Sequence, residues 1–198
     1  PDKEKDNDFA SPKSVITSKS YNKQRQLNMS HLNAICLLSG KSGAGKSYLS
    51  LNLAYLMAKR KSQVLLVDMD FHSSGLSDFF CLKQPEKSKD WHVASRFLTT
   101  LTDRNSDSEE WSSLLKAANH LAYGYEILDK DVYDYFSFIP CKSEKIPLFT
   151  GGISLAINFI KFLDTAQKMG YEYILFDCTP GNHSLSLISA IFSNTLLF

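Results

Sequence analysis

The segment Gly40-Lys-Ser-Gly-Ala-Gly-Lys-Ser47 carries the most specific chemical signal in the chain. It satisfies G-x-x-x-x-G-K-[ST], with Gly40 first, Gly45 before Lys46, and Ser47 last. Glycines let a backbone curl until successive N–H groups point inward at phosphate oxygens, and a following helix adds the positive end of its dipole. In such a loop Lys46 reaches the β- and γ-phosphates, and the Ser47 hydroxyl ligates Mg²⁺. Two acidic segments complete the inventory. Asp68-Met-Asp70 and Asp177-Cys-Thr-Pro-Gly181 each follow a run of apolar residues. An aspartate at a strand end near a phosphate loop is placed to hold Mg²⁺, often through water, and Asp177 fits that role. His72 is a lone loop histidine, expected to be solvated.

These residues need a scaffold, and the flanking patterns supply one. Asn33–Ser39 is a short, consecutively apolar run, as in a buried parallel strand. Lys46 opens a helical pattern with Leu49, Leu53, Leu56 and Met57 as its expected apolar face, closed by Lys59, Arg60 and Lys61. Gln63–Asp68 is a second buried strand, so strand, loop, helix and strand form a βαβ unit. Helices are expected over Trp91–Leu101 and Glu109–Leu121, and a third strand over Phe136–Pro140. Gly152–Lys168 reads as a helix with Ile153, Ala156, Ile157, Ile160 and Leu163 on one face, ending at a Gly170 C-cap. Its second apolar face, Leu155, Phe159 and Phe162, is expected to pack in the same domain rather than on a partner. Tyr171–Asp177 is a fourth strand, Ser184–Phe192 a helix, and Thr195–Phe198 a last strand.

Composition narrows the function classes. The 198 residues suit one domain, with 43% hydrophobic and 22% charged residues. Twenty-two Lys+Arg against 21 Asp+Glu give a net charge of +1, so no global field favours nucleic acid or an anionic membrane. The apolar runs fall far short of the roughly 20 residues that span a bilayer. Four cysteines, Cys36, Cys81, Cys141 and Cys178, form no C-x-x-C pair, which argues against a disulfide framework or a metal cluster and for a reducing, cytoplasmic setting. Residues 1–31 are polar and read as a flexible arm preceding a domain over 32–198. Because Thr195–Phe198 reads as a strand with no closing element after it, a C-terminal portion is expected to be missing.

Lys41 is not required by an ordinary phosphate loop. Lys41-Ser-Gly-Ala-Gly-Lys-Ser47 resembles the deviant Walker A motif K-G-G-x-G-K-[ST] of the MinD/ParA ATPases. Tyr48-Leu-Ser-Leu-Asn52-Leu-Ala54 resembles their T-x-x-x-N-L-A, with Ser42 in place of the first inner glycine and Tyr48 in place of a common Thr. Val67–Leu76 resembles the D-x-D switch I region, and its Gly75-Leu76 is more similar to MinD-like members than to partition ParA. Asp177–Gly181 resembles hhhhD-x-x-P-G, the Walker B strand running into switch II. The resemblance spans roughly 32–198 and is weakest over 83–130, a helical insert-like region.

The resemblance implies a mostly parallel α/β sheet of the P-loop NTPase type, flanked by helices. It implies a Mg²⁺-dependent ATP-binding and hydrolysing switch that forms a homodimer around nucleotide and answers to a regulatory protein partner. It assigns nucleotide contacts to Gly40, Lys41, Ser42, Gly43, Ala44, Gly45, Lys46, Ser47, Tyr48 and Gly181. Lys41 would reach the opposite subunit's phosphates, Asp70 would orient the attacking water, and Ser47, Asp68 and Asp177 would serve the metal. DNA or membrane contact through Lys59–Lys61 is a lesser expectation than a solvated helix end. A scaffold that binds nucleotide with little hydrolysis, and a kinase-like relative, remain as alternatives.

Overall fold

A computed structural model describes residues 32–71, 75–80, 89–122, 128–141, 152–181 and 183–198. The expectations for His72, Cys81 and the arm over 1–31 lie outside the described residues. The elements in order are β1 (Asn33–Leu37), α1 (Lys46–Lys59), β2 (Val64–Met69), α2 (Gly75–Phe80), α3 (Lys89–Thr102) and α4 (Ser108–Ala122). A 3₁₀ turn (Lys130–Tyr135), β3 (Phe136–Ile139), α5 (Gly152–Lys168), β4 (Tyr173–Cys178), α6 (Ser184–Phe192) and β5 (Thr195–Leu197) follow.

The five strands form one sheet in the order β3-β2-β4-β1-β5, and every pairing is parallel. Consecutive apolar residues in β2 and β4 are what a sheet covered on both faces demands, and all six residues of β2 are buried. Register brings the chemistry to one level. Asp177 pairs with Leu37 of β1 on one side and with Asp68 of β2 on the other. The carboxyl ends of three adjacent strands therefore meet where α/β sheets bind ligands.

Two expected helix faces are corrected. In α1 the fully buried residues are Ser50, Ala54 and Ala58, whereas Leu49 and Leu56 are 45% and 56% exposed. Small side chains at four-residue spacing let α1 lie close against the sheet, which draws the loop before it over the strand ends. In α5 the second face, Leu155, Phe159 and Phe162, packs within the domain as expected, joined by Leu163 and Ala166, while Ile153 and Ile157 of the first face are exposed. Phe162 meets Phe97 of α3 and Trp111 of α4 at ring distances of 5.5 and 5.2 Å. The helices of the insert-like region thus share the sheet's core, and Leu101, Leu114 and Leu115 are buried with it.

A polar clamp fixes these helices to α5. Buried Asn158 accepts the Ser106 hydroxyl at 2.8 Å and donates to the carbonyls of Thr100, Leu101 and Asp103. The expected C-cap is present: Gly170 has φ 91°, and Tyr171 N–H returns to the Ala166 carbonyl at 3.2 Å.

Candidate functional site

The loop between β1 and α1 takes its shape from two residues in the left-handed region, Gly43 at φ 74° and Gly45 at φ 84°. Gly45 is the N-cap of α1 and has no side chain to cap it, so the first amides of the helix are not taken up by a capping side chain at the loop. Ser42 needs no left-handed backbone, since Lys61 is the sole non-glycine with positive φ among the described residues. A serine therefore fits where the resemblance expects glycine. Residues 40–45 and Tyr48 are exposed, and Lys46 and Ser47 half-buried.

Ser39, which the sequence pattern does not single out, organises this loop. Its hydroxyl accepts the Lys46 Nζ–H at 2.8 Å and donates to the Lys41 carbonyl at 2.8 Å. Its own carbonyl accepts the Gly181 N–H at 3.0 Å. Gly181, at φ 86°, follows β4, so the two loops are joined by backbone at their bases. Any response of Gly181 to a phosphate through its N–H therefore involves this bond.

Asp177 is the decisive group. It is 1% exposed, and neither carboxylate oxygen has a hydrogen-bond partner. Burial pushes its pKa from 3.8 to about 7. The Ser47 hydroxyl and Lys46 pull it back, while Asp68 and Asp70 push it further up. Ser47 acts on it from close by, without the geometry of a formed hydrogen bond. A buried carboxylate with both oxygens orphaned, beside a hydroxyl, is a poor arrangement for a folded core and a good one for a hard divalent cation. Among the described residues no cluster of three or more His, Cys, Asp or Glu could hold an ion alone. Ser47 and Asp177 thus fit an ion that arrives with phosphate oxygens and water in its remaining positions.

Asp68 differs from Asp177 although the two are neighbours across the sheet. It is fully buried, and its pKa rises to about 6 through burial, restrained chiefly by hydrogen bonds from Ser77 and Asp70. Its oxygens accept the Asp70 N–H at 2.9 Å and both the N–H and hydroxyl of Ser77. Asp68 therefore secures the turn that carries Asp70, which is 8% exposed. Thr179 completes the mouth by donating its hydroxyl to the Met69 carbonyl at 2.9 Å, linking the turn after β2 to the turn after β4. Ser39, Ser77, Cys141 and Thr179 escaped sequence reasoning. Their one signal is position, since each lies just beyond a strand or within the helix that follows.

The sequence model of the CobQ/CobB/MinD/ParA nucleotide binding domain matches residues 35–194, from β1 to the turn before β5. The chain belongs to this family. The phosphate loop, the D-x-D turn and the strand ending in Asp177 all lie inside that match. An "ATPase ASNA1 homolog" of Cryptosporidium parvum is 26% identical over 152 residues, covering 77% of this chain and 36% of that protein. An "ATPase get3" of Pyrenophora tritici-repentis is 28% identical over 151 residues, covering 76% of this chain and 41% of the relative. The chain thus spans about two-fifths of the length of the curated relatives it matches. A crystal structure of the Pyrococcus furiosus cell division ATPase MinD aligns with a TM-score of 0.49 at 16% identity, over 83% of this chain and 59% of that one.

Proposed function

We propose that this family member binds ATP with Mg²⁺ and hydrolyses it slowly, as a switch that pairs with a second copy around nucleotide and passes its state to a regulatory protein. The observation that carries the proposal is Asp177, a buried carboxylate lacking any partner, set at the mouth of a glycine-shaped anion loop beside Ser47. Mg²⁺, held by Ser47, Asp177 and phosphate oxygens, would supply charge neutralisation at the triphosphate. Asp68 supports that shell from behind by holding the Asp70 turn.

The amides at the head of α1 and the backbone of residues 40–48 cradle the phosphates. Lys46 leaves Ser39 for the β- and γ-phosphates. Asp70 orients the attacking water for in-line displacement. Lys41 is exposed at the loop's rim, where it can serve the nucleotide of a facing subunit and spread charge as it develops. The similar proteins named as ATPases point to ATP as the nucleotide.

Phosphate release measured with Mg²⁺·ATP, for wild type, Asp70→Ala and Lys41→Ala, tests this. The expectation is slow release by wild type and loss in both variants, with Asp70→Ala still binding nucleotide. Equal release by wild type and Asp70→Ala would overturn the hydrolytic assignment. Light scattering with ATP, ADP and no nucleotide tests the pairing, and a mass independent of nucleotide would remove it.

A further inference from the structure

Four residues around the D-x-D turn close a ring of hydrogen bonds. Asp68 Oδ1 accepts the Asp70 N–H at 2.9 Å. The Asp70 carbonyl accepts the Cys141 Sγ–H at 3.2 Å. The Cys141 N–H donates to the Ser77 hydroxyl oxygen at 2.7 Å. That hydroxyl donates in turn to Asp68 Oδ2, which also takes the Ser77 N–H at 2.9 Å. The ring joins the end of β2, the helix α2 and the residue just beyond Pro140 at the end of β3. All four members are buried, at 0% for Asp68, 8% for Asp70, and 4% for both Ser77 and Cys141.

Ser77 is the junction. A hydroxyl has one proton to give and lone pairs to receive, and here the proton goes to a carboxylate while a backbone N–H is accepted. Hydrogen bonds to a buried ionised acceptor are stronger than neutral ones, and a closed cycle leaves no member free to swing alone. The Asp70 backbone is consequently held at its N–H by Asp68 and at its carbonyl by Cys141, with Thr179 gripping the preceding Met69 carbonyl. The atoms that aim the Asp70 carboxylate are thus set by three separate elements.

We propose that Ser77, assisted by Cys141, is a positioning residue that fixes Asp70 for its work on the attacking water. The inference rests on the hydrolytic assignment above and adds the residues on which its geometry depends. Misplacing a reacting group by about 1 Å can cost on the order of 100-fold in rate without loosening substrate binding. Ser77→Ala should therefore lower kcat about 10- to 100-fold while KM for ATP and the Kd for ADP stay within about twofold. Ser77→Thr, which keeps the hydroxyl, should recover most of that loss. Cys141→Ala removes the thiol's bond to the Asp70 carbonyl and its contacts with Ser77 and Asp68, keeps both Ser77 bonds to Asp68, and should lower kcat more than Cys141→Ser, whose hydroxyl can still donate to Asp70. The Cys141 pair decides the matter if Ser77→Ala folds poorly.

A kcat within about twofold of wild type in Ser77→Ala, or equal losses in the two Cys141 variants, would overturn the proposal. So would a KM that rises in step with the fall in kcat. Amide exchange at Asp70, followed without nucleotide, separates this from the parent assignment. If wild type releases no phosphate, the hydrolytic assignment fails by itself. Faster Asp70 exchange in Ser77→Ala then still supports the ring as what holds the turn, and unchanged exchange overturns it.

Discussion

Replacing Asp177 by Asn should stabilise the protein in the absence of metal and nucleotide. The carboxyl is buried without a partner, and its pKa stands at about 7 against 3.8 for an ordinary Asp. A folded-state value above the unfolded one means that the native protein holds the proton more tightly. The associated stability is complete below 3.8 and lost as pH rises through about 7. At pH 8 the ionised group then costs about 4 kcal/mol, from ~1.4 kcal/mol per pH unit between the two values. The amide that replaces it is itself a buried polar group lacking partners, which takes back about 1–3 kcal/mol. A net gain of about 1–3 kcal/mol is expected at pH 8 in EDTA, shrinking steadily as the pH is lowered toward 4. Urea denaturation at several pH values reads this as a midpoint shift of about 1 M at pH 8. Mg²⁺ with ATP should raise the wild-type midpoint and leave that of Asp177→Asn nearly unchanged. A variant less stable than wild type at pH 8 in EDTA would mean instead that the carboxylate has a partner in the folded protein.

Gly45→Ala should cost about 1–2 kcal/mol and weaken nucleotide binding, because φ 84° strains any L side chain though no atom lies within 4 Å of the added methyl. Gly40→Ala, with equally open surroundings and no left-handed backbone, should be tolerated, and thermal melts with fluorescent ADP titrations compare the two. Ala54→Leu should destabilise by about 1–3 kcal/mol by pushing α1 off the sheet, read by urea denaturation. Asn158→Ala should cost about 2–3 kcal/mol by orphaning the Thr100, Leu101 and Asp103 carbonyls, with hydrogen exchange rising first in the turn between α3 and α4.

The strands and the phosphate loop were legible because each rests on a local rule. Buried parallel strands are consecutive apolar runs, and a curled loop needs glycine at Gly43 and Gly45. The burying face of α1 was not legible, because counting large apolar residues favours Leu49 and Leu56 while the sheet selects the small Ser50, Ala54 and Ala58. In α5 the aliphatic spacing groups Ile153 and Ile157 with Leu163 on one face, yet both are exposed, while the expected burial of Phe159 and Phe162 holds against an aromatic cluster drawn from distant segments. Spacing marked Asp68 and Asp177 alike as strand-end acids. Their difference, one fully engaged and one unpartnered, depends on Ser77 arriving from α2 and could not be read from either motif.

Lys46 waits on the hydroxyl of Ser39 rather than on a carboxylate. In the proposed switch an arriving polyphosphate would therefore compete for the ammonium with a neutral hydroxyl, and the exchange would replace a hydrogen bond with one charged partner by one with two. The carbonyl of that same serine grips the N–H of Gly181, so the residue that holds the ammonium also anchors the loop beyond β4. In the proposed switch one small residue would thus work as a latch, tying the two sides of the cleft together through two bonds.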